Sequence, residues 1–143
     1  MADRSKDGDG GRQRSSRRMA GVKMIRALFD RWNRSLMSGD PEKVVECYAP
    51  DAVLLPTFSA GPCLTQAERR GYFEHFMRKK PRGRIDESHV RIFGDIAVDS
   101  GLYSFVLADG RITRARYTFV YRRDGNGGWK IIEHHSSALP EPM

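Results

Sequence analysis

Near residue 83 the spacing of apolar residues in this chain changes from steps of three and four to alternation, and that change limits the folds open to it. Upstream, Val22, Ile25, Leu28, Phe29, Trp32 and Leu36 recur at helical spacing, which predicts an amphipathic helix from Val22 to Met37. Ser38-Gly39-Asp40-Pro41 stops it. Gly39 suits a left-handed C-cap, Asp40 an N-cap, and Pro41 the first position of a second helix running from Glu42 to Tyr48. Pro50 ends that helix, and Ala52-Val53-Leu54-Leu55 reads as a short apolar strand stopped by Pro56. After a loop containing Gly61-Pro62, Thr65-Gln66-Ala67-Glu68 has the form of a capping box. It opens a third helix that reaches about Lys79 and carries Tyr72, Phe73, Phe76 and Met77 along one side.

Downstream the pattern is that of strands: His89 to Phe93, Ile96 to Ala108, Arg111 to Arg123 and Trp129 to Ala138. Asp109-Gly110 is a two-residue hairpin signal, and Asp124-Gly125-Asn126-Gly127-Gly128 makes a second turn. Helices followed by strands predict an α+β fold: three N-terminal helices packed on a curved antiparallel sheet, a cone with a cavity between the layers.

A chain of 143 residues, 39% hydrophobic and 30% charged, makes one domain of ordinary soluble composition. No apolar run approaches the roughly 20 residues of a membrane span, and no signal-peptide core stands at the N-terminus. Cys47 and Cys63 cannot build a disulfide framework and sit in no metal-binding spacing, so they read as thiols of a reducing compartment. A cytoplasmic location, no metal and no cofactor are expected. The net charge is +7. Part of that excess lies in residues 1–20, where Arg4, Lys6, Arg12, Arg14, Arg17 and Arg18 outnumber Asp3, Asp7 and Asp9. This stretch reads as a disordered basic leader preceding a domain of residues 21–143. It has no aromatic to stack on a base and carries three acids. A nucleic-acid partner is therefore not expected, nor is a membrane.

A two-residue turn at Asp109-Gly110 pairs Tyr103 with Arg116, Phe105 with Arg114, Gly101 with Thr118 and Asp99 with Val120. One face then mixes Asp99, Tyr103, Arg116 and Thr118 with apolar residues, the pattern of a ligand pocket. The other face carries Val98, Ser100, Leu102, Ser104 and Val106 beside Thr113, Ala115, Tyr117, Phe119 and Tyr121. Helices can cover only one face, so the second is expected to meet another copy, giving a homodimer through the sheet. Tyr103, Arg116, Thr118 and Ser136, with Trp32 and Phe76 from the helices, are the expected ligand contacts. Glu133-His134-His135-Ser136-Ser137 is the densest polar cluster of the last strand. Adjacent strand residues face opposite sides, so only one of His134 and His135 can look inward. These histidines and Asp99 are the candidates for acid/base work, with a hydrogen-bonded structural histidine as the alternative.

Leu36 to Pro41, Cys47 to Val53, Tyr121 to Gly125, Trp129-Lys130-Ile131-Ile132 and His135-Ser136-Ser137 resemble the NTF2-like superfamily, which implies the same cone-shaped α+β fold. Within it, Tyr48 to Thr57, Ile85 to Val90 and Glu133 to Ser137 look most like the SgcJ/EcaC group, several members of which belong to enediyne polyketide gene clusters. The chain is also similar to the association domain of calcium/calmodulin-dependent protein kinase II, a ring-forming hub. The arginines of that domain's cavity fall here on Tyr103, Thr118 and Ser136. The catalytic base of the related ketosteroid isomerases falls on Pro56, which takes no proton, so the isomerase mechanism does not carry over. The resemblance implies a cavity protein that binds a small hydrophobic polyketide or polyene intermediate beside the polyketide synthase machinery. Its alternatives are a cyclase or isomerase, or a hub-like oligomerisation module without chemistry.

Overall fold

The computed structural model describes residues 4–141, with side chains described from Gly11 onward. The elements run α1 (Arg4–Met37), α2 (Pro41–Val45), β1 (Tyr48–Leu55), α3 (Gln66–Met77), β2 (Arg82–Phe93), β3 (Ile96–Val106), β4 (Ile112–Arg123) and β5 (Trp129–Ala138). Strands β2 to β5 form an antiparallel meander, and β1 joins its far edge parallel to β5, giving the order β1-β5-β4-β3-β2. The helices cover one face of this sheet.

Local sequence accounts for the helix ends. Gly39 takes φ +77° after α1, a conformation that costs a residue without Cβ little. The Asp40 side chain accepts the Glu42 N–H at 3.0 Å and starts α2. Thr65 Oγ1 accepts the Glu68 N–H at 3.1 Å, while the Glu68 carboxylate turns back onto the Leu64 N–H and the Thr65 hydroxyl.

Helix α1 starts well before Val22. Residues 4–20 of the expected leader form the first part of this helix, and residues 1–3 lie outside the described residues. From Gly11 to Ala20 every residue is exposed, so that stretch adds nothing to the core. It follows from the anchored half of α1, because each residue added to an existing helix gains a hydrogen bond without a new nucleation cost. That anchored half buries Ile25, Phe29, Trp32 and Leu36 against the sheet. Asn33 pins it to the start of β2, accepting the Gly83 N–H at 2.8 Å and donating to the Gly83 carbonyl at 3.1 Å. A side chain on Gly83 would strike Asn33, Phe29 and Phe105, all within 3.0 Å of its Cβ position.

The β3–β4 register corrects the expectation. The hairpin loop has three residues, Ala108 to Gly110, with Leu107 N–H bonded to the Arg111 carbonyl at 2.9 Å and Gly110 at φ +85°. A type I turn followed by a left-handed glycine closes such loops. One extra loop residue moves every pairing by one: Tyr103 meets Ala115, Gly101 meets Tyr117 and Asp99 meets Phe119. A one-residue shift turns β4 over. Tyr117, Phe119 and Tyr121 therefore enter the core, 3%, 0% and 2% exposed, and Arg114, Arg116 and Thr118 go to the uncovered face. Burying three aromatics in place of two arginines decides the register.

Candidate functional site

The concave side of the sheet holds a chain of hydrogen bonds that the helices close over. Trp32 Nε1 donates to the Tyr48 hydroxyl at 3.1 Å, and that hydroxyl lies 2.8 Å from His134 Nδ1. His134 Nε2 is 3.2 Å from the Tyr103 hydroxyl. Tyr103 donates to Ser136 Oγ at 2.5 Å, and Ser136 Oγ is 2.6 Å from Thr57 Oγ1. Strand alternation explains the composition: His134 and Ser136 stand two apart on β5, so both point inward while His135 points out.

His134 is 3% exposed. Its ring stacks on Phe119 with centroids 4.0 Å apart and meets the edge of Trp32 at 5.6 Å. Desolvation, helped by neighbouring His135, pushes its pKa down to about 3, so the imidazole is neutral at physiological pH. Burial likewise raises the phenols of Tyr48 and Tyr103 well above the ordinary tyrosine value. Nothing in this chain of groups carries charge.

The space they border is small. Trp32, Phe73, Phe76, Tyr103, Phe105 and His134 are among the walls of a hollow of about 20 Å³, room for roughly one water. The open cavity expected under the helices is thus largely filled by aromatic rings. Trp32, Phe76, Tyr103, Ser136 and His134 are brought together there. Arg116 and Thr118 are not; the register shift carries both to the convex face, and His135 lies opposite Thr118 on that face.

Asp99 is inward but separate from the hollow. Its Oδ1 accepts the Ser88 hydroxyl at 2.6 Å and the Tyr117 hydroxyl at 2.9 Å, while Oδ2 has no partner. Burial raises its pKa, opposed by those two hydrogen bonds and by the charge of Arg26. Among the described residues no three His, Cys, Asp or Glu side chains gather as a metal site.

Sequence reading missed Arg69. It lies on the apolar stripe of α3, four residues before Phe73, and is fully buried. Its guanidinium donates to the carbonyls of Ala52 at 2.6 Å, Ala49 at 3.2 Å and Pro50 at 3.2 Å. The β1–β5 register is interrupted between Tyr48 and Val53, and Arg69 satisfies the carbonyls that this irregularity removes from the ladder. A cation in register with Phe73 and Phe76 was the available signal.

The convex face is uncovered by the chain's own helices. Across it runs a row Arg91–Val98–Val120–Glu133, and beside that a row His89–Ser100–Thr118–His135. At one end Val106 pairs with Ile112, 36% and 56% exposed. Among the described residues no helix is long and apolar enough to cross a membrane.

The calcium/calmodulin dependent protein kinase II association domain family matches residues 21–140. A Xanthomonas campestris crystal structure provisionally assigned to that same domain is 48% identical, with TM-score 0.79, covering 83% of this chain and 88% of the other. An NTF2-like protein of unknown function from Pseudomonas putida KT2440 is 25% identical, TM-score 0.74, covering 86% and 89%. An NTF2-like superfamily protein from Salmonella enterica serovar Typhimurium LT2 is 20% identical, TM-score 0.67, covering 83% and 91%, and shares the fold. No curated protein matches at a significant level. The fold is NTF2-like, and the chain belongs to the calcium/calmodulin dependent protein kinase II association domain family.

Proposed function

We propose that this chain is a self-association module whose convex sheet face binds a second copy of itself. The observation that carries this reading is the row Arg91–Val98–Val120–Glu133, apolar in the middle and oppositely charged at its ends. A two-fold axis lying along the strands between β3 and β4 sets Val98 against the partner's Val120 and Arg91 against the partner's Glu133. Such a face is complementary to itself, as a two-fold interface requires. Family membership supports the same reading, since association is what the family is named for. Light scattering on the purified chain tests it. The parent should run as a dimer or larger assembly and Val120→Arg as a smaller species; a parent that stays monomeric at high micromolar concentration removes the reading.

The second reading, an accessory protein of enediyne or other polyketide biosynthesis that holds a hydrophobic intermediate, draws on the Tyr48–Thr57 and Glu133–Ser137 phrases. A hollow of about 20 Å³ admits no polyene in its closed form. A cyclase or isomerase would need a base in that hollow, and Asp99 lies outside it. The neutral His134, already bonded through both nitrogens, is the remaining candidate. Self-association is the reading the geometry supports best.

A further inference from the structure

Helix α1 leaves the sheet at the β2–β3 hairpin. A Cβ on Gly21 would stand 3.1 Å from Ile92 Cδ1, so the helix crosses the hairpin in contact at that point. From Ala20 back to Gly11 every residue is exposed. Between Gly11 and Met24 the helix carries Arg12, Arg14, Arg17, Arg18 and Lys23 and no acid. All five cations are exposed, and no ion pair between described side chains uses any of them. The rest of the helix, to Met37, adds Arg26, Arg31 and Arg34 against a single acid, Asp30.

Apolar side chains gather at the same end. Phe93, where the hairpin turns, is 61% exposed, and Met24 on the helix is 47% exposed. These two, with Ile92, Arg17 and Arg18, border an open cleft of about 730 Å³ between α1 and the hairpin. No acid stands among the described residues that line it. Arg123 lines it too, but is held by Asp95 at 2.7 Å and lies over the Trp129 ring at 5.8 Å. The uncommitted charge on the helix side is therefore that of Arg17 and Arg18.

We propose that this end of the molecule, the arginine-rich start of α1 together with the tip of the β2–β3 hairpin, is a docking surface for an anionic lipid bilayer. Contact with a lipid surface needs no spanning helix. It needs cations near the headgroups and apolar side chains that reach the acyl boundary. The arginines meet headgroup phosphates, which a guanidinium fork can grip through two parallel hydrogen bonds, while Phe93 and Met24 leave water for the bilayer. A nucleic-acid backbone would satisfy the same arginines but leave those two apolar side chains in water, so their presence favours lipid. This inference stands independently of self-association.

Co-sedimentation of the full chain with sucrose-loaded vesicles tests it, one set of phosphatidylcholine alone and one of equal parts phosphatidylcholine and phosphatidylglycerol. At about 0.1 M salt the chain should bind the second set and not the first, and it should come off as salt rises. Arg17→Gln with Arg18→Gln should weaken binding about 30-fold and Phe93→Ser about tenfold. The light-scattering mass of each variant should match the parent's. Overturning results are no binding at millimolar anionic lipid, equal binding to both vesicle sets, or a Phe93→Ser variant that binds like the parent. A smaller mass for Phe93→Ser would give that ring to a second copy of the chain, and a short DNA duplex that strips the chain from vesicles at equal phosphate would give the arginines to nucleic acid; either overturns the lipid surface.

Discussion

The Tyr48 hydroxyl lies 2.8 Å from Nδ1 of His134 and ties the first strand to the last across 86 positions of sequence. That contact places a neutral imidazole between two tyrosines in the centre of the core, with Trp32 donating to the same hydroxyl from helix α1. Three elements, α1, β1 and β5, thus meet at one oxygen atom.

Tyr48→Phe keeps the ring and removes that atom. It strands the Trp32 N–H and His134 Nδ1 in a dry site, each unsatisfied group costing about 1–3 kcal/mol. A loss of about 2–4 kcal/mol in urea unfolding is expected. A loss under about 1 kcal/mol would falsify the chain as a stabilising unit.

Acid should weaken the fold through His134. Its folded pKa of about 3 lies below the ordinary 6.5. Between those values the unfolded chain binds a proton that the folded chain refuses. Stability therefore falls as pH drops from about 6.5 toward 3, by up to about 1.4 kcal/mol per pH unit. Asp99 works in the opposite sense: its raised pKa lets the folded chain keep a proton that the unfolded chain releases above 3.8, so its contribution fades as pH rises past that value. In chemical denaturation from pH 7 to 4, His134→Gln should show a flatter slope than the parent; equal slopes would assign the acid sensitivity elsewhere.

Charge reversal tests the proposed pairing of rows. Arg91→Glu or Glu133→Arg alone should weaken self-association, and the double variant should restore it, because the swap returns opposite charges to each contact. Sedimentation at low and high salt reads the effect, which shrinks as salt rises. A double variant no better than either single one places the two residues away from each other in the assembly.

Arg69→Met should cost about 2–4 kcal/mol, since the thioether fills the space but leaves the carbonyls of Ala49, Pro50 and Ala52 without their donor. Arg69→Lys should recover only part of the loss, a single ammonium being unable to span three acceptors as a planar fork does. Thermal unfolding of the pair decides between lost charge and lost geometry.

At Gly101 a Cβ would sit 2.0 Å from the Glu87 carbonyl oxygen, where β2 bulges between Ile85 and Glu87. Gly101→Ala should therefore cost about 2–3 kcal/mol or force the bulge out of register. Unchanged stability by calorimetry would show that β2 yields freely there.

Much of this architecture is legible along the chain because it is set by neighbours. The helical spacing of Ile25, Phe29, Trp32 and Leu36, the caps at Asp40 and Thr65, and the alternation after residue 83 depend on contacts a few residues apart. So do the turns at Gly110 and Gly127, and together these specify an α+β chain of helices followed by a meander. Which side chains share a site is another matter. One residue in the loop after Leu107 decided whether Arg116 or Tyr117 would enter the core. Loop length is settled by which β4 face packs better against Phe29 and Trp32, a choice made across the whole molecule. His134 was separated from His135 in the same way, by partners 31 and 86 positions distant. The extent of the hollow was decided last, because the volume that Trp32, Phe76 and Phe105 leave between them exists only once the layers have closed.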